Sequence, residues 1–274
     1  MDETRLSLID GEACALLGVH DRGLMYGDGV FRTIRVRDGR PLWWADQLGK
    51  LAADAHRLGI AMPEPALWAR DVDRLLAQAP AECVLKLVLT RGPATRGYRP
   101  VPASPPTRIV MVSPMPAQIE AVAARGARLH LCRLRLAEQP ALAGIKHLNR
   151  LENVLAAAEF DPQDYDEGLL LDTAGRVVGG VRSNLFVYRA GRLRTPRLER
   201  CGVAGVARAR LLALAARLKL PVCEDDIGLE EVLEADELWL SNSLIRLWPV
   251  SRLGSRLWQP SHLAYSLRAQ MDDD

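Results

Sequence analysis

The chain has 274 residues, of which 49% are hydrophobic, and its 36 basic and 34 acidic residues give a formal net charge of +2. This hydrophobic content can form a large core, which excludes a disordered, low-complexity chain. The charges are dispersed, without the dense basic patch that nucleic-acid binding requires, and no apolar run is long enough to span a membrane.

The cysteines and the N-terminus indicate the cellular compartment. Five cysteines are scattered along the chain with no Cys-x-x-Cys pair and no His/Cys cluster, which argues against both a disulfide framework and a structural zinc site. The N-terminal stretch "MDETRLSLIDGEA" has no basic segment followed by an apolar one, so no signal peptide is predicted. We therefore expect a cytoplasmic protein.

The first half of the chain predicts strands and two helices. "LSLIDGEACALLG" and "VFRTIRVRDGRPLWW" alternate at strand spacing around Asp-Gly turn signals. "ADQLGKLAADAHRLG" has one apolar helical face, and "PEPALWARDVDRLLAQA" predicts a second helix opened by proline. "ECVLKLVLTRG" and "TRIVMVSPM" predict strands, the second suited to a buried position.

A proline-broken stretch, "SPMPAQIEAVAARG", predicts a connection between two domains. We place a smaller N-terminal α+β domain at 1–113, the connection at 114–126 and a larger C-terminal domain at 127–274. The second domain begins with a strand in "ARLHLCRLRLA", continues through short strands separated by Ala-Gly turns, and includes a helix in "AGVARARLLALAARLKL". Antiparallel hairpins mixed with helices indicate the α+β class.

Four lysines differ in their local settings. Lys219 follows a helix, where a cation suits the helix dipole. Lys86 is predicted to be the outward member of a strand, and Lys50 to be solvated unless its helix face lines a cleft. Only Lys146 lies in a loop between a strand and a helix, in "GIKHLNRLEN".

The helix after Lys146 has a predicted start. Asn149 and Glu152 have the spacing of a capping box, and Leu151, Val154 and Leu155 follow at helical spacing. On these local features alone, Lys146 is equally well an ordinary surface charge and a reactive amine.

Five segments along the chain together resemble a known family. They occur in the order and spacing of the fold-type IV pyridoxal-phosphate enzymes, and they are "DRGLMYGDGVFRTIRV", "GIKHLNRLENVLA", "SNLFVY", "GVAGVARARLL" and "ADELWLSNSL". Within that group, "KHLNRLE" and "TRGPATRGY" are most similar to the aminodeoxychorismate lyases.

The resemblance implies a fold, a cofactor and a reaction. The fold would be two α+β domains, as in D-amino-acid aminotransferase, with the cofactor cleft between them and a homodimer as the working unit. Lys146 would hold pyridoxal 5'-phosphate as an aldimine and then act as the base at the substrate carbon. The reaction would convert 4-amino-4-deoxychorismate to 4-aminobenzoate and pyruvate for folate synthesis.

The phosphate of the cofactor needs an anion site. Small residues precede a long helix in "CGVAGVARARLLALA", so the N–H groups of Val203 and Ala204 could bind an anion, although the glycines could equally shape a turn. The resemblance assigns this loop and the Ser243 hydroxyl to the phosphate. It gives Asn184 a supporting role in the cofactor pocket or in a turn.

Two positions depart from the family pattern. The family's phosphate-binding arginine lies in a His-x-x-Arg-Leu motif, where this chain has "DQLGKL" with Asp46 and Lys50. Lysine keeps the charge but loses the planar fork. Where the family has a glutamate that pairs with the pyridine nitrogen of the cofactor, this chain has Gly179. Asp172 or a water molecule is the remaining candidate partner for that nitrogen. We hypothesise that Gly179 is tolerable for a lyase and poorly tolerable for an aminotransferase, whose carbanion must be delocalised into the ring.

Candidate substrate residues follow from the two carboxylates of aminodeoxychorismate. Arg35, Arg91 and Arg96 could supply guanidinium groups, while Tyr26, Phe31 and Thr33 could shape the pocket. Two other interpretations stay open: an aminotransferase of the same fold, and a degenerate homologue with weakened cofactor binding.

Overall fold

A computed structural model describes residues 6–94, 96–100 and 104–271. The chain divides into two compact units, and the four residues Lys146–Asn149 belong to the first although the second surrounds them in sequence. The first unit is Met1–Pro116 with Lys146–Asn149, and the second is Ala117–Ile145 with Arg150–Asp274. The domain boundaries drawn from the sequence stay a prediction.

The first unit is built on an antiparallel sheet in the order β2-β1-β6-β5-β3-β4. Its elements are β1 (Leu6–Ile9), β2 (Glu12–Ala13), α1 (Arg22–Tyr26), β3 (Gly29–Arg37), β4 (Arg40–Pro41), α2 (Trp44–Arg57), α3 (Pro65–Leu76), β5 (Cys83–Thr90) and β6 (Thr107–Pro114). Helix α2 packs on β3, and α3 packs on β1 and β6. Trp68, Ile34 and Leu85 are fully buried.

The second unit is built on a mixed sheet in the order β12-β11-β10-β13-β14-β7-β8-β9, with β15 paired to β14. Its elements are α4 (Ile119–Arg125), β7 (Ala127–Leu136), α5 (Leu151–Ala157), β8 (Glu167–Asp172), β9 (Val177–Gly180), β10 (Asn184–Arg189), β11 (Arg192–Pro196), α6 (Val206–Arg217), β12 (Val222–Asp225), α7 (Leu229–Leu233), β13 (Glu237–Asn242), β14 (Arg246–Leu253), β15 (Arg256–Leu257) and α8 (His262–Gln270). Three strand pairs are parallel: β11 with β12, β14 with β7, and β7 with β8. Among the described residues, no helix combines the length and the apolar character that crossing a bilayer requires.

The predicted α+β class is confirmed, as are the two helices of the first half and the long helix after residue 205. The predicted connection contains α4, and its role as a connection stays a prediction. One local prediction is wrong. The predicted capping box is absent, because Asn149 donates to Gly27 O (3.0 Å) and Glu152 accepts from the N–H of Ala137 (2.9 Å).

Candidate active site

Lys146 lies on an extended segment that pairs with the free edge of β3. The N–H of Phe31 donates to Lys146 O (3.0 Å), and the N–H of Leu148 donates to Gly29 O (2.9 Å). The N–H of Lys146 in turn donates to Asp54 Oδ2 (3.2 Å). Hydrogen bonds therefore hold the main chain of Lys146 on both sides, where the sequence predicted only a loop.

The amine of Lys146 lies over an aromatic ring. Its Nζ is 4.5 Å from the centroid of Phe31, and Lys86 Nζ is 5.2 Å from the same centroid. Phe31 and Thr33 share one face of β3, and Lys86 pairs with Thr33 on β5, so strand alternation places these side chains together. Two amines therefore lie beside one aromatic ring, whose face attracts cations.

Lys86 was predicted to be an outward strand residue, and the structure revises that interpretation. It is half-buried and directed towards the ring that Lys146 contacts. The signal was available in the sequence, because Phe31 and Lys86 follow the alternation of two strands that were both predicted.

Asp54 joins Lys146 to a buried polar cluster. Its Oδ1 forms an ion pair with Lys50 Nζ one helical turn away, and its Oδ2 lies 3.6 Å from Arg32 Nη1. Arg32 Nε also donates to Gln47 Oε1 (3.2 Å). The side chains of Arg32 and Asp54 are only 2% and 1% exposed, so both charges are held away from water.

The cluster changes the expectation for Lys50. Its side chain is 24% exposed and paired with a buried carboxylate, so it is not a solvated surface lysine. Burial lowers the pKa of Lys50, and Asp54 opposes that change. Burial also lowers the pKa of Arg32 to about 10, again opposed by Asp54, which leaves the guanidinium charged at neutral pH.

Sequence reasoning missed three members of this cluster. Arg32 occupies the buried register of β3 between Val30 and Ile34, where a charged residue requires a partner. Asp54 is four residues after Lys50 on one helix face. With Lys50 at the arginine position of the His-x-x-Arg motif, the histidine position three residues earlier is occupied by Gln47 rather than Asp46, and Gln47 is fully buried.

In the second unit, the loop before α6 differs from the prediction. The N–H of Ala204 donates to Gly144 O (3.1 Å), so it cannot bind an anion, and Gly144 and Val203 form a parallel bridge. Helix α6 begins at Val206, and the N–H groups of its first turn have no intrahelical acceptor. The N–H of Ala204 is therefore already bonded, the anion role of Val203 stays a prediction, and the N–H groups at the start of α6 are of a kind that can bind an anion.

Asn184 holds this loop in place. Its Nδ2 donates to Val203 O (2.7 Å), and its Oδ1 accepts from the N–H of Gly205 (3.2 Å). A Cβ at Gly205 would lie 2.5 Å from that oxygen, which explains the glycine. The geometry supports the role of Asn184 in shaping the anion loop.

Ser243 lies in the turn after β13. Asn242 Oδ1 accepts from the N–H groups of Leu244 (2.9 Å) and Ile245 (3.0 Å), which defines the turn around the half-buried Ser243. A hydroxyl can donate to a phosphate oxygen. The prediction for Ser243 stays a prediction.

Gly179 has no room for the missing glutamate. Its φ is +154°, and a Cβ there would lie 2.9 Å from Ser183 O. Glu167 is buried and accepts from Ser183 Oγ (3.1 Å), but its side chain contacts the Cβ position of Gly180. Consecutive residues face opposite sides of a strand, so Glu167 does not replace the carboxylate. The other candidate, Asp172, is bonded to Arg176 Nε (2.7 Å).

The three arginines predicted for substrate have different settings. Arg91 donates to Asp28 and to the carbonyls of Leu58 and Gly59, so it holds its own loop and its predicted role is revised. Arg35 forms an ion pair with Glu82 (3.2 Å).

Arg96 is exposed in the loop that Tyr26 helps to hold. Tyr26 Oη accepts from the N–H of Gly97 (3.2 Å), and the rings of Tyr26 and Tyr98 are 5.3 Å apart. Thr95 of this loop lies outside the described residues. Arg96 is thus the predicted arginine whose setting best suits a ligand carboxylate.

Comparisons with known proteins agree with this arrangement. The model of the family described as amino-transferase class IV matches residues 29–253. The chain belongs to the class IV aminotransferase family. It is 33% identical over 237 residues to an aminodeoxychorismate lyase from Vibrio harveyi, covering 86% of each chain. It is 31% identical over 249 residues to a putative branched-chain-amino-acid aminotransferase from Methanocaldococcus jannaschii, covering 90% of this chain and 85% of the relative.

A solved structure is similar along nearly the whole chain. The crystal structure of 4-amino-4-deoxychorismate lyase from Pseudomonas aeruginosa matches with a TM-score of 0.93 and 45% identity, covering 98% of this chain and 99% of that one. The fold-type IV architecture predicted from the sequence is confirmed.

Class IV aminotransferases use pyridoxal phosphate, and most of the residues present fit it. Lys146 fits the amine that binds the aldehyde. Considered by itself, the start of α6 fits an anion such as a phosphate. The position of Gly179 supplies no carboxylate for the ring nitrogen.

Proposed function

We propose that the chain is an aminodeoxychorismate lyase that forms 4-aminobenzoate and pyruvate from 4-amino-4-deoxychorismate. The observation that carries the proposal is the setting of Lys146, whose main chain is held by Phe31 and Asp54 and whose amine lies over the Phe31 ring. The two similar lyases, from Pseudomonas aeruginosa and Vibrio harveyi, support this choice of substrate.

The residues of this chain have distinct tasks in the proposed reaction. When bound, pyridoxal phosphate supplies an electrophilic centre that takes up the substrate amine and acidifies the neighbouring C–H. Lys146 Nζ removes the proton from that ring carbon. The bond between the adjacent ring carbon and the enolpyruvyl oxygen then breaks, and the expelled enolate takes a proton back at its methylene carbon to become pyruvate. The ring that remains is aromatic, and its stability favours the products.

Binding the substrate requires cations for two carboxylates. Lys86 and Arg96 are the candidates that the geometry favours, because the first lies beside Phe31 with Lys146 and the second is exposed in its loop. Within the second unit, Ser243 and the N–H groups at the start of α6 are the candidates for the phosphate, and the role of Lys50 stays a prediction from the sequence.

An aminotransferase is the alternative function, and similarity to the putative aminotransferase from Methanocaldococcus jannaschii supports it. Gly179 favours the lyase. Transamination depends on a protonated pyridine ring that delocalises a carbanion. The lyase reaction depends less on electron withdrawal by the pyridine ring, because aromatisation of the substrate ring also drives it.

We further propose a cytoplasmic homodimer. The described residues include exposed apolar side chains on α1 (Leu24, 60%; Met25, 55%) and on α5 (Leu151, 76%), and an apolar surface of this kind suits a partner subunit. Light scattering at two protein concentrations tests the dimer. The five free cysteines suit a reducing compartment.

The decisive experiment combines absorbance with chemical trapping. The purified protein, Lys146→Ala and the control Lys219→Ala are each mixed with pyridoxal phosphate and treated with borohydride. We expect a visible band that borohydride traps on the wild type and on Lys219→Ala, but not on Lys146→Ala. A wild type that binds no cofactor would establish the degenerate homologue instead.

An assay on aminodeoxychorismate then separates the two reactions. Formation of 4-aminobenzoate that depends on Lys146 supports the lyase. Conversion of keto acids with an amino donor, without 4-aminobenzoate, would establish the aminotransferase.

A further inference from the structure

Three side chains of metal-ligating type meet in the second unit, apart from any role in the proposed reaction. His130 and Cys132 lie two residues apart on β7 and so face the same side, and Glu159 follows α5. Their ligand atoms all lie within 4.8 Å of one another. The scattered cysteines argued against a structural zinc site, and this cluster departs from that expectation because Glu159, which completes it, is remote from His130 and Cys132 along the chain.

The distance between His130 and Glu159 suits a shared ion better than a hydrogen bond. His130 Nε2 is buried and has no hydrogen-bond partner among the described residues, and Glu159 Oε2 lies 3.6 Å away. Hydrogen bonds to nitrogen end at about 3.2 Å. Two ligands of one tetrahedral zinc ion, with bonds of about 2.0–2.2 Å, lie roughly 3.4 Å apart.

The Glu159 carboxylate is oriented before any ion arrives. Its Oε2 accepts from the N–H of Arg133 (2.6 Å), and its Oε1 accepts from the N–H of Leu134 (2.8 Å). Each oxygen keeps a further lone pair, so these bonds leave room for a metal. Outer hydrogen bonds of this kind hold the ligands of natural metal sites.

The other two side chains are also held. The His130 ring packs against Tyr165 (centroids 5.2 Å apart) and Phe160 (5.6 Å). Cys132 is 1% exposed, and its sulphur occupies space that a side chain at Gly168 would fill, since a Cβ there would lie 2.6 Å from Sγ. The one hydrogen bond of that sulphur among the described residues is a weak contact of 3.9 Å to Ala156 O.

We propose that His130, Cys132 and Glu159 bind one zinc-class divalent ion, with water in the fourth position. The thiolate and the carboxylate together neutralise the double charge of the ion, which suits a buried site. The thiol releases its proton to solvent as the sulphur–metal bond forms, so no oxidant or reductant is involved. Closing the site requires the sulphur to approach by at most about 1.2 Å, because its present separation from the other ligand atoms is within 4.8 Å and ligands of one zinc ion lie roughly 3.6 Å from a bound sulphur.

Cobalt provides a direct probe, because a thiolate ligand gives a charge-transfer band in the near ultraviolet. The full-length protein, carrying its cofactor, is titrated with Co²⁺ against the same protein without metal. We expect about one ion per chain, a band that is lost in Cys132→Ser, and displacement of cobalt by Zn²⁺. Cys223→Ser, at an exposed cysteine, should leave the band unchanged.

Two further variants complete the test. His130→Ala should weaken binding at least tenfold, whereas His262→Ala, at an exposed histidine, should leave it unchanged. Zn²⁺ should raise the unfolding midpoint of the wild type but not of Cys132→Ser, which also reports whether the variant folds. Binding that survives both Cys132→Ser and His130→Ala, or no stoichiometric binding by the wild type, would overturn the proposal.

Discussion

Replacing Asp54 with asparagine removes the one carboxylate that Lys50, Arg32 and the N–H of Lys146 share in the first unit. Asparagine keeps one acceptor oxygen, so it can still accept from a single donor. The charge of Arg32, which is 2% exposed, then has lost its carboxylate partner. Removing one partner of a buried ion pair lowers the free energy of unfolding by about 3–5 kcal/mol. Because the asparagine keeps one acceptor oxygen, we expect a loss at the lower end of that range, about 3 kcal/mol.

Urea unfolding measures this loss. With m values of about 1–3 kcal/mol/M, the midpoint should fall by roughly 1–3 M. Hydrogen exchange adds a local readout, because peptides covering β3 and residues 146–149 should lose protection before the rest of the first unit. That order follows from the bond between Asp54 and the N–H of Lys146.

A matched control separates burial from charge alone. Glu82→Gln breaks the ion pair with Arg35, whose carboxylate partner is 46% exposed, and should cost less than about 1 kcal/mol. Adding Arg32→Met to Asp54→Asn should recover part of the loss, because it removes the stranded guanidinium. If Asp54→Asn costs no more than Glu82→Gln, the cluster is not the buried network described above.

Two further predictions concern the strands around Gly179. Gly179→Ala should lower the free energy of unfolding by about 1–3 kcal/mol, because φ is +154° and Ser183 O would lie 2.9 Å from the added Cβ. Gly49→Ala on α2, with open space around it, should raise the free energy of unfolding by up to about 1 kcal/mol. Equal urea midpoints for the two variants would contradict backbone strain at Gly179. Burial raises the pKa of Glu167, so the folded protein keeps a proton that the unfolded chain releases above its pKa of about 4.3. The free energy of unfolding of the wild type should therefore fall as pH rises between that value and the raised folded pKa, and Glu167→Gln should remove the fall. If the wild type and Glu167→Gln give parallel curves of stability against pH from about pH 4 to pH 8, Glu167 does not cause this pH dependence.

The strain at Gly179 also affects how the reaction is tested. A Gly179→Glu variant would provide a carboxylate for the ring nitrogen, and comparing its two activities would test whether Gly179 favours elimination over transamination. The structure shows that such a variant carries backbone strain, so a loss of both activities would report misfolding rather than chemistry. Gly179→Ala is the control, because it has the same strain without the carboxylate.

Periodicity in the sequence was enough to predict the main helices and strands, because each has a buried face that repeats along it. The start of α6 shows what the sequence could not decide about the predicted anion site. Small residues fill positions 202–205, and only the bond from Ala204 N–H to Gly144 O decides which N–H groups are left. Gly144 is remote in sequence, so no local pattern could reveal it.

The failed capping box has the same cause. Asn149 and Glu152 have the right spacing, but Gly27 and Ala137 offer partners elsewhere in the fold. Arg32 was different, since its place in the buried register of β3 was visible in the sequence. An arginine between two buried apolar residues requires a buried acid, and α2 supplies Asp54.

The lysine at position 50 makes physical sense only together with Asp54. Burial lowers the pKa of Lys50, and nearby Arg32 and Arg57 add to that effect, so the surroundings other than Asp54 disfavour the charged form. Asp54 opposes the loss through its ion pair, and its other oxygen holds the main chain of Lys146. The departure from arginine is therefore a change in the whole cluster, in which one carboxylate is paired with a cation and also holds the main chain of Lys146, the residue that we propose carries the reactive amine.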